Sequence, residues 1–399
     1  MTTTATARTL VGASLAAFLV VGDVDLVPAW PWRAARLTLL ALALAAAAVV
    51  VARRPRALVA LTRFPLVFFS VFAVLDLVAS IAAERPLTAL RYAAGLAAVE
   101  VMAVAVAEAF TARQLVAGVL AAVGAKIVLS LALFWSPQAW WSATRFMGAL
   151  GSPNPMGATA GLAYLLIVLY GWYDWPRRSA RVALLAAGLT ATATMAATRS
   201  ASAIAATLAT LVVLTPLSGV REARWRERIA WAAVTGALLL PLVLVAGGDN
   251  TAPPRLSTPA ESIDLRAGWW AMLLQAIWRQ PWLGYGAGST PWLGLPGTPP
   301  WGTSAHNLYL EAAVWAGVPA AVAMALFVVG ILVAVARGGR LDRASRVGLA
   351  IPALFFAALS LGEPVLLNAA PSTLVIPLVI AAVWASGAAT RGGGGTWPT

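Results

Sequence analysis

His306 is the only histidine in the 399 residues, and a neutral imidazole is the ordinary proton acceptor near pH 7. Thr303 and Ser304 precede it as N-cap candidates for a long apolar helix, so His306 is expected in that helix's first turn. The helix dipole there disfavours the imidazolium and keeps the ring neutral, as a general base requires. A purely structural histidine is the competing reading. Arginines supply the second chemical signal, since an uncompensated cation at a membrane edge is costly and its guanidinium fork matches phosphate oxygens. Arg199 sits in the polar break Ala196-Ala197-Thr198-Arg199-Ser200, Arg145 lies just before Ser152-Pro153-Asn154-Pro155, and Arg266 lies on an amphipathic segment. None of these three has an obvious carboxylate partner at its depth. Arg91 does, because Asp76 on the preceding span could neutralise it. A base together with several phosphate-binding cations points to transfer from a lipid diphosphate, a donor that carries its own leaving group. Such chemistry needs no cofactor, and no metal site is expected for it.

These residues must be positioned by elements suited to lipid. Apolar residues make up 61% of the chain and charged ones only 11%, far from the balance of a soluble domain. Runs of about 20 apolar residues, the length that spans a bilayer, recur throughout, so no removable leader is expected. An all-α integral membrane protein with about twelve transmembrane helices follows, as a single polytopic domain over residues 1–399. Spans are expected near 9–22, 37–52, 64–82, 87–110, 112–135, 155–173, 182–198, 200–217, 229–246, 306–336, 347–362 and 372–388. The net charge of +13 sits between the apolar runs, which is why it implies a membrane and no nucleic acid. Most arginines fall in alternate, short loops, which places both termini in the cytoplasm. The long segment 247–305 between the ninth and tenth spans then faces outward. Within it, 262–278 reads as an amphipathic helix with Ile263, Trp269, Trp270, Leu273, Leu274 and Ile277 on one face, lying on the membrane surface with its tryptophans in the interfacial belt. Cysteine is absent, which excludes disulfides and thiolate chemistry. Pro281-Trp282-Leu283-Gly284-Tyr285-Gly286-Ala287-Gly288 lacks the flanking strand and helix of a nucleotide loop and reads as turns and close packing.

The stretch Ser304-Ala305-His306-Asn307-Leu308-Tyr309-Leu310-Glu311, with Gly317 beyond it, resembles the His-Asn-x-x-Leu signature of the O-antigen ligase and polymerase family. Arg266 with Trp270, Pro281, Gly284 and Gly286 resembles the segment preceding that signature. Arg199, and the pattern of Arg145, Gly148, Pro153 and Asn154, match two further landmarks. Departures are Trp315, where an acidic residue is often found, and Thr-Arg-Ser in place of Ser-Arg-Gly around Arg199. The resemblance implies a glycosyltransferase of GT-C-like architecture in the bacterial inner membrane, with a periplasmic active site and no cofactor. Its donor would be a glycan on undecaprenyl diphosphate and its acceptor a terminal sugar hydroxyl of lipid A-core, on a monomeric chain. His306, Arg266 and Arg199 would be catalytic, and Arg145, Arg91, Asn307 and Tyr309 would contact substrate.

Other readings compete. A polymerase of the same family would join two lipid-linked glycans. Asp23-Val24-Asp25 falls in the first outer loop, where metal-dependent lipid-phosphosugar transferases place carboxylates. A transporter or flippase would use Asp76, Arg91, Glu100 and Lys126 to line a polar path.

Overall fold

The computed structural model describes residues 30–141, 145–171, 178–217, 259–295, 304–337, 341–364, 367 and 371–385. The expected spans 9–22 and 229–246, Asp23, Asp25 and the Gly-rich tail lie outside the described residues. Helices stand at the other ten expected positions: α1 (Trp30–Arg53), α2 (Leu66–Ile81), α3 (Pro86–Ala109), α4 (Ala112–Ala132), α5 (Pro153–Leu165), α6 (Arg178–Thr198), α7 (Ala201–Leu217), α9 (Leu308–Arg337), α10 (Arg343–Leu359) and α11 (Pro371–Ala385). The outer-segment helix, expected over 262–278, is α8 (Pro259–Arg279). Among the described residues, the one departure from all-α structure is a short hairpin, in which Trp140–Trp141 (β1) pairs antiparallel with Arg145–Phe146 (β2).

Local chemistry accounts for the helix starts. Thr111 and Gln114 form a reciprocal capping box on α4. Proline occupies the first turn of α3 and of α5, where its missing N–H costs nothing. Asp342 caps α10 by accepting from the Ser345 N–H. Helices α3, α4 and α9 are each long and apolar enough to cross a membrane. The pair Thr38–Arg53 and Pro55–Thr62, bent by 100°, is a fourth if it counts as one span. Outward-facing Val74, Ile81, Val128, Val182, Val212 and Val329 are exposed, as lipid-facing side chains should be. The chain is an integral membrane protein built mainly of helices.

Helix α2 packs along α9, and α3 lies against α1, α2 and α11. On the other side α5 packs on α6 and α7. Helix α10 joins the two groups, touching α4, α7, α9 and α11. Helix α9 is broken at Ala316–Gly317, two residues before Pro319. The turn following α8 fills this break: Tyr285 N–H donates to the Val314 carbonyl at 2.8 Å, Gly286 N–H to Trp315 at 2.7 Å, and Val318 N–H to Pro281 at 2.7 Å. The glycines here do serve close packing, since a Cβ on Gly284 would meet the Val314 carbonyl oxygen at 2.6 Å.

Candidate active site

Four segments converge at the C-terminal end of α10. The first carries Arg145. Its strand is held against α4 by the Phe134, Trp140 and Phe146 rings and by the Ala149 N–H, which donates to Ser130 Oγ at 3.0 Å. Arg145 Nε donates to the Thr198 carbonyl at 3.1 Å, and its Nη2 donates to Asn154 Oδ1 at 3.2 Å and to the Arg199 carbonyl at 3.5 Å. The second is the turn joining α6 and α7, which carries Arg199. It lies so close to α5 that a Cβ on Gly157 would be 2.6 Å from Ser200 Cβ.

Helix α8 provides the third segment. Trp269, Leu273 and Ile277 of the expected apolar face are buried, whereas Leu274 is exposed. Trp269 Nε1 donates to the Ser304 carbonyl at 3.0 Å and Trp270 Nε1 to the Ala305 carbonyl at 2.7 Å. These two tryptophans therefore face the protein and tie down the histidine-bearing turn, a correction to their expected place in the interfacial belt. Trp278, near the end of the same helix, and Trp282 just after it are exposed. One turn before Trp270, Arg266 projects toward α10.

His306 is in the fourth segment, and its position also corrects the expectation. Helix α9 begins at Leu308, and Asn307 is its cap: Asn307 Oδ1 accepts from the N–H groups of Tyr309 and Leu310, both at 3.0 Å. His306 lies outside the helix with φ of 50°, so the first-turn dipole argument no longer applies. The helix starts where the apolar run starts, and asparagine one residue before it is a better cap than a threonine or serine set further back. Asn307 also donates through Nδ2 to the Leu361 carbonyl at 3.0 Å, which leaves it a structural task beyond any contact with substrate. Behind the turn, buried Glu311 accepts from Thr290 Oγ1 at 2.7 Å, Trp315 Nε1 at 2.8 Å and the Ala305 N–H. Trp315, the departure from the acidic pattern, is thus a partner of the nearby acid.

Glu363, just past α10, joins these segments and was absent from the sequence reading. Its Oε2 lies 3.2 Å from His306 Nδ1. Its Oε1 accepts from Asn154 Nδ2 at 2.9 Å, Ser202 Oγ at 3.1 Å and Arg266 Nη2 at 3.2 Å. Arg266 Nη1 donates to the Gly362 carbonyl at 2.9 Å. The carboxylate partner that sequence did not supply for Arg266 is therefore Glu363. The signal that could have found it is a glutamate at the end of an apolar span, which is costly there without a task.

Burial pushes the Arg145 guanidinium below its ordinary value; Glu363 raises it again, and Arg199 and Arg266 lower it further. Arginine remains cationic in proteins even so. The charges of Arg199, Arg266 and Glu363 all act on Arg145, so three guanidiniums accompany one carboxylate here, an excess of positive charge suited to the two charges of a diphosphate diester. Arg199 makes no side-chain hydrogen bond among the described residues. Arg91 is exposed on α3 and makes none of the contacts above, and no ion pair joins it to Asp76, whose two oxygens are buried without a hydrogen-bond partner. Tyr309 is partly buried, one residue into α9. Of the polar residues weighed for a transport path, Glu100 accepts from Ser70 Oγ at 2.7 Å.

Residues 186–325 match the family model described as O-antigen ligase. No curated protein matches the chain. The matched stretch holds Arg199, Arg266, His306, Asn307 and Tyr309, while Arg145, Asn154 and Glu363 reach the same site from outside it. Residues 186–325, which hold most of those motifs, are thus similar to the O-antigen ligase family.

Proposed function

We propose that the protein transfers a glycan from undecaprenyl diphosphate to a terminal sugar hydroxyl of lipid A-core on the periplasmic face of the bacterial inner membrane. The observation that carries this reading is the convergence of His306, Arg266, Arg199 and Arg145 at one end of the helix bundle, although they lie far apart in sequence. His306 Nε2 takes the proton of the acceptor hydroxyl as its oxygen forms a bond to the anomeric carbon. The bond from that carbon to the diphosphate breaks, and the electron pair leaves with the lipid diphosphate. Arg199 and Arg266 hold the diphosphate and stabilise the charge that grows on it, with Arg145 supporting Arg199 through its backbone carbonyl. A single displacement of this kind inverts the anomeric centre. Arginine takes the charge-stabilising part, so the reaction proposed is metal-independent. Arg91 makes none of these contacts and is given no step.

Reconstitution with a lipid-diphosphate glycan and a rough lipopolysaccharide acceptor tests this reading. Capped acceptor from the wild type, retained in EDTA and lost in His306→Ala, is the expected result. Lengthened lipid-linked glycan with an untouched acceptor would make the protein a polymerase, and transfer abolished by EDTA would return Asp23 and Asp25 to consideration.

A further inference from the structure

We infer that Glu363 is the positioning residue of the transfer reaction, orienting the base through one carboxylate oxygen and the phosphate clamp through the other. The inference rests on the proposed transfer for its kinetic consequence, though not for its structural one.

Glu363 is held on all sides. Its side chain is 9% exposed, against 19% for His306 and 23% for Arg266, so it is the innermost of the three. The turn that bears it is also the socket for its neighbours: the carbonyls of Ser360, Leu361 and Gly362 accept from the Leu308 N–H, Asn307 Nδ2 and Arg266 Nη1. A carboxylate only accepts hydrogen bonds when ionised. Facing Oε2 at 3.2 Å, His306 Nδ1 must therefore carry the hydrogen when the ring is neutral, which leaves the lone pair on Nε2. That is the tautomer a base at Nε2 requires. Once Nε2 has taken the acceptor proton, the same carboxylate faces an imidazolium and stabilises it. Glu363 touches neither donor nor acceptor in this scheme.

The arrangement makes Glu363→Gln informative. Three donors, from Asn154, Ser202 and Arg266, converge on Oε1. In the variant the amide oxygen must occupy that place, which turns the NH2 group toward His306 Nδ1. The ring nitrogen then has to accept, the hydrogen moves to Nε2, and the base is blocked. Analogous replacement of a histidine-orienting aspartate in a serine protease costs about 10⁴-fold in kcat.

Because His306 is the only histidine, protein labelled with 15N-histidine reports one ring. The spectrum is followed upward in pH until it stops changing, so that the neutral ring is observed. The wild type should show hydrogen on Nδ1, and Glu363→Gln should show it on Nε2. In the glycan-transfer assay, kcat for Glu363→Gln should fall by about 10³- to 10⁴-fold with a smaller change in KM, and Glu363→Asp should recover part of that loss. A wild-type ring with hydrogen on Nε2 overturns the inference whether or not any variant folds, as does a Glu363→Gln enzyme with wild-type kcat. A wild type that transfers no glycan counts against the proposed reaction instead, and the tautomer then still decides the contact between Glu363 and His306.

Discussion

Arg199 and His306 share the same unusual backbone: both have φ of 50°, and among the described residues they are the only non-glycine residues with positive φ. The left-handed region costs an ordinary L-residue about 1 kcal/mol or more. Both residues sit in turns pinned by neighbours, Arg199 through its N–H to the Ala196 carbonyl at 3.0 Å and its own carbonyl to Arg145. Strain thus coincides with the two positions proposed for base and phosphate clamp.

Glycine adopts this conformation freely, so Arg199→Gly should separate stability from activity. The variant is expected to match or exceed the wild type in thermal stability by up to about 1 kcal/mol, while glycan transfer falls by about 10²-fold or more. Unfolding midpoints for Arg199→Gly and Arg199→Val check this. Equal destabilisation by both would mean that the turn stores no strain.

Gly317 makes the opposite prediction. Its φ is 82°, and a Cβ there would lie 2.5 Å from the Trp282 carbonyl oxygen. Gly317→Ala should cost about 2–4 kcal/mol, by strain and by forcing the turn after α8 out of the break in α9. A lowered unfolding midpoint and a lower yield of folded protein are the readouts. An unchanged midpoint would argue that the break can close.

Trp269→Phe keeps most of a buried ring and removes one donor to the Ser304 carbonyl. The cost in stability should be about 1–3 kcal/mol, because the carbonyl loses its partner. The turn bearing His306 is loosened, so kcat should fall more than KM for the donor rises. Equal effects on both constants would place Trp269 in donor binding.

At the far end of α10, burial alone would raise the Asp342 carboxyl, but hydrogen bonds from Ser345 and the Ala344 N–H, with Arg113 nearby, outweigh it and hold the group below its usual range. A depressed carboxyl stabilises the folded state above the ordinary carboxylate range of about 4, and that contribution is lost as pH falls through the lowered value. The stability difference between wild type and Asp342→Asn should therefore be constant near neutral pH and shrink on acidification below about pH 4. A difference that does not change with pH would rule out the ionised cap.

Much of the frame was legible in the residues themselves. Apolar runs bounded by arginine, proline and polar caps located the helices at ten expected positions, and the amphipathic pattern around Trp269 and Leu273 located α8 to within a few residues. These are local properties, set by burial period and by caps. Arg199, Arg266 and His306 were legible too, because cations and a lone histidine at span ends stand out against an apolar background.

Glu363 was not legible as their partner. Nothing in its neighbours along the chain points to His306, and the groups that meet its two oxygens come from α5, α7, α8 and the turn before α9. The inward direction of Trp269 and Trp270 was equally hidden, since a tryptophan at a helix end suits either an interface or a buried carbonyl. Sequence by itself determined that this chain lies in a membrane, which segments are helical and which rare polar residues mark the helix ends, because apolar transfer and capping act locally. Only the tertiary structure decided that α9 breaks to admit the turn after α8, that Arg91 and Asp76 do not pair and that one carboxylate holds both histidine and arginine, because each of these depends on which helix packs against which.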